Sequence, residues 1–143
     1  MDSAKRVMSG TWGETWLEGE KISECYGLQA KVSYNKEDVA LCGQMFVDSK
    51  VKSAKGTGSI RMHKVSSRMA KLVADKIKAG QDVRFTVISK LADPDAYGAE
   101  RVALKNVSFD DLTLADWEAD NFGKVECPFT FTDYEYLDMV DPQ

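Results

Sequence analysis

The chain has 143 residues and a mass of 15.9 kDa, enough for one domain with a substantial core. Hydrophobic residues make up 43% and charged residues 29%, as in ordinary globular proteins, and no apolar run reaches the roughly 18 residues that span a bilayer. The net charge of −4 argues against a protein built to grip DNA, because affinity for phosphate comes from clustered lysine and arginine. Residues 1–10 have no apolar stretch typical of a secretory signal, so we expect folding in a cytoplasm.

The first strands follow a polar N-terminal arm, residues 1–10. Residues 12–17 read as a strand, residues 18–20 as a turn, and residues 21–34 as a longer strand with alternating apolar and polar positions. Trp12 directly follows the arm and is either a core residue or an anchor in an interface with another chain. We expect Trp16 and Trp117 in the core.

Residues 48–58 are basic, contain glycine and show no apolar period. They are predicted to form an extended loop, either mobile or ordered only against a partner. The candidate contact residues in this segment are Lys50, Lys52, Lys55, Gly56 and Gly58.

One helix is predicted, over residues 66–79. Met69, Leu72, Val73 and Ile77 recur at helical spacing and form a single apolar stripe. Gly80 stands where a left-handed residue would close the helix.

The rest of the chain alternates with the period of a strand. Residues 83–87, 102–104, 107–109 and 125–131 each place apolar side chains on one face, and a bulge near Lys105 and Asn106 would reconcile the opposite phases of the two middle segments. Pro128 predicts an edge strand or a bulge. The fold class is therefore mainly β (α+β): an antiparallel β-barrel or sandwich with one amphipathic helix, in a single domain over residues 1–143 with a C-terminal extension at 135–143.

No group of residues predicts catalysis, a metal or a cofactor. His63 has no recognisable catalytic partner and is expected at the surface. Asp93 and Asp95 resemble the start of a calcium loop without its later ligands, which favours a simple turn. Cys25, Cys42 and Cys127 lack metal-binding spacing and are expected to be reduced thiols packed as small hydrophobic residues.

The charge is divided unequally along the chain. Residues 1–71 carry 12 basic and 8 acidic side chains, a net +4, whereas residues 72–143 carry 7 and 15, a net −8. Such halves can meet head to tail in neighbouring copies, or both charge sets can simply be solvated surface.

Several segments, in order along nearly the whole chain, resemble one family. They are SGTWGE at 9–14 with LEGE at 17–20, KGTGSI at 55–60 with KVSS at 64–67, GAERV at 98–102 with VSFD at 107–110, and PFTFTDY at 128–134. Together they are similar to the tail tube proteins of myophage-like contractile tails, including defective prophages and R-type bacteriocins, and look closest to clostridial members.

This resemblance implies a tail-tube fold that forms hexameric rings, each subunit adding about four strands to one continuous β-barrel, with the rings stacked into a tube. The implied partners are other copies of the chain, the tail sheath, the baseplate hub or initiator, the tape-measure protein and the tail terminator, with genomic DNA in the lumen only in a phage. Assembly is expected in the bacterial cytoplasm, and the tube in a virion tail or released bacteriocin. Trp12 and the 48–58 segment would contact neighbouring subunits. The alternatives are a monomeric β-barrel that binds a small ligand and an effector-secretion tube of related architecture.

Overall fold

A computed structural model describes residues 4–140 of the chain. These residues form eight strands and one α-helix, preceded by two short 3-10 turns at Ala4–Arg6 and Gly10–Trp12. In chain order the elements are β1 Gly13–Leu17, β2 Glu20–Lys21, β3 Cys25–Val39, β4 Asp48–His63, α1 Arg68–Lys78, β5 Phe85–Leu91, β6 Glu100–Phe109, β7 Lys124–Phe131 and β8 Asp133–Asp138. No helix in residues 4–140 combines the length and the apolar character needed to cross a membrane.

Every strand pairing among the described residues is antiparallel, in the order β2-β1-β5-β6-β7-β4-β3. Strand β6 joins the two halves of this path, because it pairs with β5 from Glu100 to Val107 and its last two residues pair with β7. The first part of β6 also pairs with β8, which lies off this path. The bend at Thr132 separates β7 from β8 and directs them to successive parts of β6. The predicted fold class, mainly antiparallel β with one helix, is confirmed.

The predicted bulge at Lys105 and Asn106 is present. Phe85 is opposite Val107 and Val87 is opposite Leu104, so two residues of β6 face one residue of β5. Asn106 adopts a φ of 57°, a left-handed conformation that asparagine tolerates better than most residues. Its side-chain amide donates to Thr132 Oγ1 at 2.9 Å, which holds the bulge against the bend between β7 and β8.

The core lies between the strands and one face of α1. Phe129, Ile60, Val87 and Val107 are fully buried, as the alternation of β4, β5, β6 and β7 requires. The helix ends at Lys78 with Gly80 at a φ of 79°, the predicted left-handed closing residue.

One of two predictions about the strands is wrong. Residues 48–58 are not a loop, because they are the first eleven residues of β4 and pair with β3 along their length apart from one bulge. The predicted edge position at Pro128 is confirmed, because among the described residues β7 pairs there with β4 alone, and its pairing with β6 covers only Phe129 and Thr130. The carbonyl of Pro128 accepts from the Asp110 amide at 2.9 Å, so the nitrogen of Pro128 also faces β6. Because the pairing of β6 with β7 ends at Phe109, the proline removes no hydrogen bond between strands.

Candidate assembly surfaces

The distal halves of β3 and β4 form a two-stranded ribbon, residues 33–55, that lies apart from the rest of the sheet. Within the described residues β4 pairs with β7 only from Gly56 to His63, and β3 pairs with β4 alone. Every residue of the ribbon is exposed. An isolated two-stranded hairpin is at best marginally stable in water, and no other described strand pairs with the ribbon.

The turn at the end of the ribbon, which we call the tip, spans residues 40–47 and is strongly apolar. Met45 is 97% exposed and Phe46 is 92% exposed, and Leu41 and Val47 are exposed beside them. Gly43 has a φ of 80° and lets the chain reverse there. Four large apolar side chains on one short turn form a surface that favours burial against a partner.

The three predicted contact lysines all lie on the ribbon. Lys50, Lys52 and Lys55 are exposed on β4. Lys52 is the extra residue of a bulge, because Asn35 pairs with Ser53 while Lys36 pairs with Val51. Lys52 Nζ lies 3.9 Å from Glu37 Oε2, and both side chains are exposed. An exposed ion pair stabilises a protein by about 1 kcal/mol at most, so this pair does not prevent the lysine from binding another chain.

The two predicted contact glycines have a role inside the subunit. A Cβ on Gly56 would lie 2.5 Å from the Phe131 ring, and a Cβ on Gly58 would lie 2.6 Å from Phe129 Cζ and collide with the Gln29 carbonyl oxygen. Their lack of a side chain lets the two phenylalanine rings pack directly on the backbone of β4. A contact of these glycines with another subunit remains a prediction.

Trp12 lies at the end of the second 3-10 turn and is half-exposed. The described part of the predicted arm, residues 4–10, does not extend into solvent. The Ser9 amide donates to Asp93 Oδ2 at 2.8 Å, and Arg6 donates to the Asp95 carbonyl at 3.1 Å. Over these residues the arm is therefore held by the turn after β5. Residues 1–3 lie outside the described part of the chain.

A second apolar surface lies beside the C-terminal end of α1. A groove of about 500 Å³ is lined by Val73 and Ile77 of the helix, Phe85 of β5, Phe109 of β6, and Leu112 and Leu114 of the following segment. Ile77 belongs to the stripe predicted to be core, yet it is more than half exposed.

Residues 110–123, the segment that contributes Leu112 and Leu114 to the groove, have no regular secondary structure and are mostly exposed. Trp117 was expected in the core but is 86% exposed, and Phe122 is exposed as well. The prediction for Trp117 fails because the segment runs over the surface, and the sequence pattern contains no signal that distinguishes an exposed tryptophan from a buried one. Trp16, in β1, is half-buried.

Three strands have a single strand neighbour among residues 4–140. These are the two-residue strand β2, which pairs with β1, the long strand β3, which pairs with β4, and β8, which pairs with β6. All six residues of β8 are exposed, including Tyr134 and Tyr136. The predicted extension over residues 135–143 is thus partly a strand, through Asp138, and its last three residues lie outside the described chain. An open edge of this length is a template for pairing with another chain.

The ionisable and metal-ligating side chains of residues 4–140 do not cluster into one site. In residues 4–140 no group of three or more His, Cys, Asp or Glu residues could hold a metal ion. His63 is exposed and lies against the Tyr26 ring, as a surface histidine. The cysteines are free thiols, but Cys42 is exposed at the tip, which corrects the prediction that all three are packed.

Comparison with known proteins places this architecture in a family. The model of a family described as phage tail tube protein matches residues 2–138. The chain belongs to the phage tail tube protein family. It is accordingly a structural subunit of a tail tube, and the reading as a monomeric ligand-binding barrel is replaced by this assignment.

Two relatives of the tube subunit come from Bacillus subtilis strain 168. The phage-like element PBSX protein XkdM is 34% identical over 134 residues, covering 92% of this chain and 91% of the relative. The uncharacterized protein YqbM is 34% identical over 139 residues, covering 96% and 95%. These matches do not support a particular closeness to clostridial members.

Solved structures share the fold of the tube subunit. A chain from the sheath–tube complex of an extracellular contractile injection system aligns with a TM-score of 0.74 at 10% identity, over 97% of this chain and 100% of that one. A chain from the tube-terminating cap of the anti-feeding prophage aligns with a TM-score of 0.72 at 8% identity, over 97% and 96%. At such low identity the agreement concerns the fold.

Proposed function

We propose that copies of this chain form hexameric rings that stack into the hollow inner tube of a contractile tail, in a phage, a defective prophage or an R-type bacteriocin. Contraction of a surrounding sheath would drive this tube through the envelope of the target cell. The chain would act as one tail-tube domain, by assembly and without catalysis or a cofactor. It would meet the sheath, baseplate hub or initiator, tape-measure and terminator proteins, after assembly in the bacterial cytoplasm.

The observation that carries the proposal is the ribbon. Residues 33–39 and 48–55 keep strand geometry although all of them are exposed and the rest of the described chain, which we call the body, does not cover them. A ribbon of this kind becomes stable when a second layer covers it, and in a tube the next ring supplies that layer at every subunit. The tip residues Met45 and Phe46 add apolar area that such a contact would bury.

The open strand edges support ring closure. Strands β1, β5, β6 and β8 form a four-stranded antiparallel sheet with β8 at one border. Six such sheets give 24 strands, and at about 4.8 Å per strand the barrel has a circumference of roughly 115 Å and a diameter of about 37 Å before tilt. This diameter admits duplex DNA or an extended protein chain. An effector-secretion tube shares this geometry and differs in its cargo.

Electron microscopy of the concentrated, purified chain tests the proposal. We expect rings and tubes with six-fold symmetry.

A variant tests the role of the ribbon lysines. Replacing Lys50, Lys52 and Lys55 with glutamate should stop tube growth while leaving the melting temperature of the dispersed subunit unchanged, because all three side chains are exposed. The matched control replaces Lys64, Lys71 and Lys76, which are exposed outside the ribbon, with the same change of net charge. Normal tubes from the ribbon variant would refute the role of the lysines, and a chain that stays monomeric at every concentration would refute tube formation.

A further inference from the structure

The tip and the groove are two apolar surfaces of one chain, and each lacks a covering layer in the described residues. The tip presents Met45 and Phe46, which are almost completely exposed. The groove presents Ile77 and Leu114, of which Leu114 is 84% exposed. A cavity of about 500 Å³ is large enough for two or three apolar side chains, so the groove matches the tip in size as well as in character.

The charges around the two surfaces are opposite. The segment at the groove, residues 110–123, carries five carboxylates and no lysine or arginine: Asp110, Asp111, Asp116, Glu118 and Asp120. The ribbon behind the tip, residues 33–55, carries four lysines and three carboxylates. The charged residues that line the groove itself are Asp82, Asp110, Asp111 and Lys78, so the groove and its acidic segment are both negative. This negative charge favours approach of the ribbon, whose net charge is +1, and disfavours contact between two grooves.

The two surfaces lie far apart along strand β4. The tip precedes the first residue of the strand, Asp48, whereas Phe109 of the groove pairs with Phe129, which pairs with Gly58. Ten steps of about 3.3 Å separate Asp48 from Gly58, so the groove lies about 33 Å along β4 from the tip. Complementary surfaces that far apart on one molecule generate head-to-tail contacts that continue from copy to copy.

We infer that the tip of one subunit docks into the groove of a second copy in the next ring, with Met45 and Phe46 inserted between Ile77 and Leu114 and with the ribbon lysines beside the acidic segment. This inference rests on the proposed stacking of rings and names the surface that receives the ribbon. The contact is heterologous, since the tip of one copy meets the groove of the next, so every ring keeps a free set of tips at one end and a free set of grooves at the other. A tube that elongates by addition of identical rings requires this polarity.

The native cysteine at the tip provides a direct test. Cys42 is a free, exposed thiol within three residues of Met45, so the single substitution Leu114→Cys places a second thiol in the groove. Mild oxidation of assembled tubes should link Cys42 of one copy to the new thiol of the next and produce a ladder of covalent oligomers. The control is Val65→Cys, an exposed position before the N-terminal end of α1, where we expect at least tenfold less linkage. Adding Cys42→Ser to the Leu114→Cys chain should abolish the ladder.

The outcomes separate this inference from the proposed function. Tubes that form normally while Leu114→Cys links no better than Val65→Cys would overturn the docking and leave the tube intact. A chain that forms neither rings nor tubes would overturn the proposed function and the docking together.

A second experiment changes the groove itself. Ile77→Glu should reduce tube length at least tenfold while rings persist, because it places a charge on an apolar part of the groove. The control variant Ile77→Leu should form tubes of full length. Full-length tubes from Ile77→Glu would overturn the docking of the tip into the groove.

Discussion

Strand β4 belongs to two regions that are held in different ways. From Gly56 to His63 it lies between β3 and β7, and Ile60 and Met62 point into the core. From Asp48 to residue 55 it has β3 as its neighbour, and all its side chains are exposed. The first region is stabilised inside the subunit, whereas the second keeps strand geometry without cover from the body, and under the proposed function association with the next ring would stabilise it. One strand can therefore serve folding at one end and assembly at the other.

The largest expected effect distinguishes a phenylalanine of the body from one of the tip. Phe129→Ala removes a fully buried ring and should lower the free energy of unfolding of the dispersed subunit by about 3–5 kcal/mol. Phe46→Ala should change it by less than about 0.5 kcal/mol, because the ring is solvated in the isolated chain. Urea denaturation, with sedimentation to confirm that the protein is monomeric, measures both values. Similar losses from the two substitutions would contradict the division into body and ribbon.

A smaller effect is expected where the ribbon joins the body. Gly58→Ala places a methyl group against Phe129 and the Gln29 carbonyl, so a strand or a ring must shift, at a cost of about 1–3 kcal/mol. The matched control is Gly10→Ala, where the added methyl meets nothing within 4 Å. Thermal unfolding of the two variants should show a clearly lower midpoint for Gly58→Ala alone. Equal midpoints would mean that the junction can rearrange without loss.

The next effect depends on pH and concerns the ion pair that attaches α1 to the start of β3. Arg68 Nε donates to Glu24 Oε1 at 2.9 Å, and the Glu24 side chain is 9% exposed. Burial acts to raise the pKa of Glu24, but the hydrogen bond and charge of Arg68 outweigh it and lower the pKa below 4.5. A lowered folded-state pKa stabilises the protein above the unfolded value of 4.5, and this stabilisation is lost as the pH falls through the folded-state pKa.

Glu24→Gln should therefore cost about 1 kcal/mol of unfolding free energy at pH 7, and this cost should shrink as the pH falls below 4.5. The control is Glu20→Gln, because Glu20 meets the same arginine at 3.4 Å but its side chain is 79% exposed. Denaturation curves for both variants between pH 3 and pH 7 provide the measurement. A constant difference across this range for Glu24→Gln would show that the substitution acts through packing and not through charge.

The sequence predicts the body better than the ribbon, and the reason is burial. β7 alternates apolar and polar residues because one face packs in the core, and the bulge at Asn106 is visible as a change in the phase of that alternation. The 48–55 part of β4 has solvent on both faces, so its residues follow no apolar period and are read as a loop. The same limit applies to Trp117, since an exposed aromatic side chain looks like a core residue until its surroundings are known.

The basic charge of residues 48–58 predicts Lys50, Lys52 and Lys55 as contact residues, which stays a prediction, whereas the sequence offers no signal for the tip as a candidate site. Residues 40–47 lie between two predicted segments, and four apolar residues in a turn carry no signature of their own. They are recognised as an exposed apolar surface only from the register of β3 and β4, which places them at the end of an uncovered ribbon. The groove depends likewise on long-range packing, because Ile77 and Leu114 are brought together only by the fold.

The smallest expected change leaves stability untouched and compares two thiols. Burial, with smaller contributions from Asp111 and Glu126, raises the pKa of Cys127 to about 11, so at pH 8 about one molecule in a thousand carries the reactive thiolate. Cys42 is exposed at the tip. In the dispersed subunit iodoacetamide should modify Cys42 within minutes and Cys127 only after denaturation, as measured by mass spectrometry of the peptides. In assembled tubes Cys42 should also become protected, because the tip is then buried; continued fast modification of Cys42 in tubes would mean that the tip stays in solvent after assembly.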